Sequence, residues 1–142
     1  MTTVNDFNQF NQNLIEEFRA HDGKVTGVFE GAPLLLLTTT GAKTGRKHTT
    51  PLVYFQDGDR IVVFGSKGGA PTHPAWYHNL VANPDVTVEL PGETLEARAV
   101  TADGAERDRI WSAQKELMPG FKDYEAKTDR QIPVVVLERA SS

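Results

Sequence analysis

The chain has no cysteine among its 142 residues, which excludes disulfide stapling and thiol chemistry. It has no apolar run approaching about 18 residues and no apolar stretch after Met1 of the kind a signal peptide carries, so it reads as a cytoplasmic protein without a transmembrane segment. Internal repeats and low-complexity tracts are missing, apart from a polar cluster at Asn8 to Asn13. No G-x-G-x-x-G follows a strand and opens a helix, which disfavours a dinucleotide-binding doubly wound sheet. The absence of a G-x-S-x-G elbow speaks against reading Ser66-Lys67 as a hydrolase pair.

The most telling absence is of negative charge. No acid occurs between Glu30 and Asp57, yet this interval carries Lys43, Arg46, Lys47 and His48. Residues 31–84 hold five Lys/Arg and only Asp57 and Asp59 as acids, a local +3 in a chain of net charge −4, so the remainder carries −7. An acidic protein with a basic middle suggests a localised site for a small anion, not a nucleic-acid surface, which requires a broad basic face.

The length suits one domain, residues 1–142, able to bury a core without metal or disulfide. Val4, Phe7, Phe10, Leu14 and Phe18 recur at steps of three and four and predict an amphipathic helix over about 4–20, ending near Asp22-Gly23. Its polar face is neutral to acidic, so it packs on a core or a partner subunit and not on a membrane. Seven stretches have strand character: Lys24–Glu30, Leu34–Thr39, His48–Phe55, Arg60–Gly65, Asp85–Leu90, Leu95–Thr101 and Ile132–Glu138. Asp57-Gly58 and Pro91-Gly92 read as hairpin turns. Helices are predicted at His73–Ala82 with Pro74 in the first turn, at Ala105–Leu117 with Asp103 as N-cap and Glu106 three residues on, and at Phe121–Lys127. Short strands with local hairpins and few helices predict an antiparallel barrel, mainly β with flanking helices (α+β).

Two glycine-punctuated cationic loops stand out. In the first, Leu34 to Tyr54, an apolar strand runs through GAKTGRK into a second strand. In the second, Gly65-Ser66-Lys67-Gly68-Gly69 precedes Pro71-Thr72-His73-Pro74-Ala75-Trp76-Tyr77-His78-Asn79, where glycines allow close approach and a helix start offers free N–H groups. Either loop alone would be an ordinary solvated turn. Together, with Trp76 and Tyr77 to wall a ring system, they point to an anionic heterocycle. His73 and His78, five apart, would stand roughly 140° from one another on a helix and do not form a metal pair. Trp111 with Ile110, Leu117 and Met118 reads as core.

From about Val25 to Glu138 the chain resembles the deazaflavin (coenzyme F420)-dependent nitroreductase and quinone reductase family of actinobacterial proteins. The resemblance is carried by LLLTTTGAKTGR at Leu35 to Arg46, by Pro51-Leu52 and Asp57-Gly58, by GSKGG and HPAWYHNLVANPDV, and by TDRQIPVVVLE. It implies a split antiparallel β-barrel, similar to FMN-binding barrels, holding the deazaflavin in a groove. Lys43, Thr44, Gly45, Arg46 and His48, with Lys47 beside them, would meet the phosphate and glutamate tail. Gly65, Ser66 and Lys67 with Ala75, Trp76, Tyr77, His78 and Asn79 would line the ring. The implied chemistry is hydride transfer to a small-molecule electron acceptor such as a quinone, nitroaromatic or activated enone. Ser66 is the candidate donor to the anion developing on the acceptor. Where the family's nitroreductase pattern has tyrosines this chain has Val53, Met118, Phe121 and Tyr124; only Tyr124 keeps a phenol and joins Ser66 as a candidate catalytic group. The pocket so implied is apolar and favours quinones over nitroimidazoles. The alternatives are an FMN-dependent split-barrel oxidoreductase and a non-catalytic cofactor carrier; a homodimer buried on the first helix is open.

Overall fold

The computed structural model describes residues 4–27, 30–58, 60–66 and 72–140. Helix α1 (Val4–Ala20) precedes strands β1 (Leu34–Thr40), β2 (Lys47–Asp57) and β3 (Arg60–Phe64); then come α2 (Ala75–Ala82), β4 (Asp85–Leu90), β5 (Glu93–Thr101), α3 (Gly104–Leu117), α4 (Gly120–Ala126) and β6 (Val134–Arg139). The strands close into an antiparallel barrel in the order β1-β2-β3-β6-β5-β4, with β4 pairing back onto β1 through Leu36↔Glu89 and Thr38↔Thr87. The expected α+β antiparallel barrel is therefore the fold. Among the described residues no helix is long and apolar enough to cross a membrane.

The apolar patterning of each strand reports what lies outside it. Leu35, Leu37, Ile61, Val63, Val86, Val88, Val135 and Leu137 alternate into the barrel interior. On β1 the intervening Leu34 and Leu36 pack outward under Leu14, Ile15 and Phe18 of α1. On β3 and β6, Val62, Phe64, Val134 and Val136 pack outward under Ile110, Trp111 and Phe121 of α3 and α4. The unbroken runs LLLL, IVVF and VVVL are thus strands covered on both faces, whereas β4 and β5, with alternating burial, have a solvated outer face.

Antiparallel alternation sorts the connections between the two barrel ends. The tight turns after Asp57 and Leu90 lie at one end, where Gly58 (φ 64°) and Gly92 (φ 74°) supply left-handed backbone. The β1–β2 loop, the β3–α2 junction and the segment leading into β6 all lie at the other.

Several expectations are corrected. Among the described residues six strands form, not seven: those of 24–30 carry no strand, because Thr26 gives its backbone N–H (2.9 Å) and its hydroxyl (2.8 Å) to the Glu17 carboxylate instead of a ladder. Asp103 occupies the N-cap position of α3 without a side-chain cap bond, and Glu106 pairs with Arg60 instead. Helix α2 starts at Ala75, with Pro74 at its N-cap and His73 before it. Leu117 is 65% exposed, because the buried face of α3 runs through Arg107, Ile110, Trp111 and Gln114 and the helix ends there. Helix α1 covers its own barrel and stops at Ala20, where Asp22 and Gly23 turn left-handed and the Gly23 N–H bonds the Phe18 carbonyl at 2.8 Å.

The β2–β3 hairpin is tied to α3 by charge. Asp57 accepts from Arg60 at 2.6 Å and from both Nη atoms of Arg109 at 3.1 Å, while Arg60 also reaches Glu106 at 3.1 Å. The Arg109 and Arg60 hydrogen bonds hold the Asp57 carboxyl down at about 2. A depressed carboxyl contributes stability that is present above its unfolded value and is lost as pH falls through its folded one. Asp57→Asn should therefore cost about 1 kcal/mol at pH 7 in urea denaturation. The gap from the parent protein should shrink steadily as pH falls from about 4 to about 2; a gap as large at pH 2 as at pH 7 would contradict this account.

Candidate functional site

The β1–β2 loop folds tightly on itself. The Gly41 N–H bonds the Arg46 carbonyl at 2.7 Å, the Gly45 N–H returns to the Gly41 carbonyl at 3.0 Å, and the Arg46 N–H bonds Thr44 Oγ1 at 3.2 Å. A Cβ on Gly41 would lie 2.7 Å from Thr44 Oγ1, 3.2 Å from His48 Nε2 and 3.3 Å from the Arg46 carbonyl oxygen, so only glycine admits this fold-back. Gly45 has a φ of 72°, again a glycine conformation. Lys43, Thr44, Gly45, Arg46, Lys47 and His48 are all exposed. Lys47 Nζ donates to Thr40 Oγ1 at 2.9 Å, and among the described residues none of Lys43, Arg46 and Lys47 forms an ion pair. The expected unpaired cationic cluster is thus present as a surface.

Helix α2 holds this loop from behind. Asn79 Oδ1 accepts the Ala42 N–H at 3.0 Å while its Nδ2 donates to Thr39 Oγ1 at 3.2 Å, and Asn83 reaches the Thr40 carbonyl at 3.4 Å. Asn79, expected beside a ring, staples the loop to the end of β1. On the same helix Trp76 and Leu80, four residues apart, enter the barrel interior, leaving Trp76 only 7% exposed. The Trp76 ring is thus core packing in this structure and not an open wall. Tyr77 is half-buried against that core, and Ala75 and His78 are exposed.

At the end of β3, Gly65 abuts Pro133: its N–H bonds the Pro133 carbonyl at 2.9 Å, and a Cβ would stand 3.1 Å from the proline ring. Ser66 is buried and its carbonyl accepts from Arg130 Nη2 at 2.9 Å. Lys67, with Gly68 and Gly69, lies outside the described residues. The second guanidinium nitrogen of Arg130 meets His73 Nδ1 at 2.9 Å, and the His73 ring lies 5.0 Å from Tyr77 and 5.9 Å from His78. The two histidines are thus neighbours, contrary to the helical-wheel expectation, because His73 precedes the helix. No group of three metal-ligating side chains exists among the described residues. Burial, then Arg130 and His78, push the His73 imidazole below its ordinary value, and burial lowers Arg130. Arg130 was missed by sequence reasoning; its one local signal is a lone cation just before an apolar strand.

The four residues expected to line an acceptor pocket divide between two layers. Val53 points outward into the α1 layer, whereas Met118, Phe121 and Tyr124 belong to the α3–α4 layer, where Phe55 joins them. Phe121 is packed edge-on to Phe64 and Trp111 and lies 5.1 Å from Tyr124, so it is core, leaving Met118 and Tyr124 half-buried. Surface clefts of about 340 Å³ beside Gly23 to Ala32 and about 330 Å³ beside Arg60 and Arg139 involve none of these residues.

Comparison with known proteins identifies the family and the fold. The family described as F420H(2)-dependent quinone reductase matches residues 11–139. An F420H(2)-dependent quinone reductase of Mycobacterium tuberculosis is 41% identical over 126 residues, covering 86% of this chain and 85% of that one. A solved F420-H2 dependent reductase superposes with a TM-score of 0.69 at 41% identity, covering 75% of this chain and 94% of its own. A solved structure described as a domain-swapped dimer gives a TM-score of 0.71 at 36% identity, covering 96% and 100%. With a family match over residues 11–139 and a relative 41% identical over most of both chains, the chain belongs to the F420H(2)-dependent quinone reductase family.

Proposed function

We propose that this F420-dependent reductase binds the anionic tail of its cofactor on the β1–β2 loop, sets the ring against the β3–α2 junction, and reduces a quinone there. The observation that carries the reading is the exposed set Lys43, Arg46, Lys47 and His48 on a loop whose cations form no ion pair among the described residues. A phosphate followed by several carboxylates needs more than one cation, and the fold-back over Gly41 places four cationic or titratable side chains within six residues. The donor set fits the F420 tail better than the single phosphate of FMN.

The bound reduced deazaflavin supplies the hydride; the chain has to orient, exclude water and stabilise charge. Ser66, at the end of β3, is the candidate hydroxyl donor to the acceptor oxygen as negative charge develops on it. Tyr124 is the candidate second donor, and Met118 contributes apolar surface. A homodimer is part of the proposal, supported by the domain-swapped dimer among the solved relatives; light scattering of the purified protein measures it.

Fluorescence titration with oxidised F420 tests the tail site. Lys43→Ala and Arg46→Ala should each weaken binding about tenfold, roughly 1.4 kcal/mol, and added salt should weaken the parent protein in the same direction. Tighter binding of FMN than of F420, or indifference to both substitutions, would overturn the assignment. For Asn79, loss of both staple bonds in Asn79→Ala should lower stability by about 1–2 kcal/mol by thermal or urea melts. Asn79→Asp can still accept from Ala42 N–H and Thr39 Oγ1, so it should melt closer to the parent while its added negative charge weakens F420 binding. With reduced F420, turnover of menadione should exceed that of a nitroimidazole; the reverse order would refute the apolar-pocket reading.

A further inference from the structure

A single guanidinium joins the end of β3, the approach to α2 and the segment before β6. Arg130, from the segment before β6, donates through Nη2 to the Ser66 carbonyl and through Nη1 to His73, both at 2.9 Å. Its own backbone N–H bonds Thr128 Oγ1 at 3.3 Å, which braces the turn that presents it. A guanidinium is donor-only, so His73 Nδ1 must be the acceptor and the ring proton must sit on Nε2. The contact therefore exists only with neutral His73.

We propose that Arg130 is a positioning residue for the cofactor groove, fixing Ser66 at the end of β3, and that protonation of His73 releases this hold. The proposal rests on the reading that Ser66 borders the bound ring. Protonated His73 has no lone pair at Nδ1 and sets a second cation 2.9 Å from the guanidinium. The described titratable or charged groups facing His73 are Arg130 from the segment before β6 and Tyr77 and His78 from α2. None of them carries a negative charge near neutrality that would stabilise the imidazolium. Burial, Arg130 and His78 all lower His73, so the hold is complete at neutral pH and is lost as pH falls through that lowered value, below the usual 6.5.

The test combines cofactor-free protein with F420 binding. NMR titration of the histidine rings without cofactor should find the His73 midpoint below the ordinary value, and Arg130→Gln should raise it by about half a unit or more. F420 affinity, measured from pH 8 to pH 5, should fall about tenfold around the His73 midpoint in the parent protein. In His73→Asn the amide oxygen stands where Nδ1 was and cannot titrate, so the acid limb should disappear. Arg130→Gln should bind about tenfold more weakly at pH 7.5 and show no acid limb. Arg130→Lys should recover only part of the affinity, because one ammonium cannot span both acceptors with the geometry of a fork. Thermal melts of each variant at pH 7.5 identify any loss of fold, and His73→Asn carries the test if Arg130→Gln is unfolded. An acid limb unchanged in His73→Asn, or parental affinity in folded Arg130→Gln, would overturn the proposal. Failure of the parent protein to bind F420 at pH 7.5 would overturn the functional reading and this one with it. An NMR shift without an acid limb in binding would overturn this one alone.

Discussion

The insertion of α2 into the end of the barrel that carries the β1–β2 loop is the constraint on which the rest depends. Trp76 and Leu80 complete the interior begun by Leu35, Leu37, Val63 and Val135, and burying a tryptophan and a leucine there contributes several kcal/mol, roughly 3–5 for the tryptophan alone. That packing fixes the rotation of the helix. The rotation in turn aims Asn79 at Ala42 and Thr39, and it sets Tyr77 and His78 beside His73. One apolar contact thus places a polar staple, an aromatic cluster and a cationic loop relative to one another.

The barrel divides its work between its two ends. At one end, two tight turns join β2 to β3 and β4 to β5, and the Asp57–Arg60–Arg109 cluster locks the first of them to α3. At the other, longer connections meet, and their polar groups are spent on each other: Arg130 on Ser66 and His73, Asn79 and Asn83 on β1 and its loop. Helices cover the outer faces of β1, β3 and β6, while β4 and β5 keep a solvated outer face. An acidic molecule with this one basic region repels anions broadly and attracts them locally, which suits capture of a polyanionic cofactor.

Much of the fold was legible because its signals are local. Pro91-Gly92 and Asp57-Gly58 imposed their turns whatever the context, Asp85–Leu90 alternated as a half-solvated strand must, and the deficit of acids around Lys43 to Lys47 survives as an unpaired surface. The errors arose where a local pattern met a distant partner. Lys24–Glu30 has strand-like residues, but the Glu17 carboxylate takes the Thr26 amide that pairing would need. Asp103 and Glu106 form a capping signature that loses to Arg60, 46 residues away from Glu106. Val53 reads with Tyr124 by its residue type, yet Val53 and Phe55 share the outer face of β2, and their positions along the strand set Val53 under α1 and Phe55 in the layer of Met118 and Tyr124.

By itself the sequence determined six of the seven expected strands, the helices, the two hairpin turns and the charge of the loop, because each follows from neighbours within a few residues. Only the tertiary structure decided that Trp76 packs into the barrel interior, that Asn79 bonds the loop, and that Arg130 reaches Ser66 and His73. Those contacts span 37 to 64 residues of chain. Barrel closure alone brings such partners to hydrogen-bonding distance, since antiparallel alternation gathers the ends of β1 and β3 and the start of β6 at one rim, and no local preference of the intervening residues encodes that meeting.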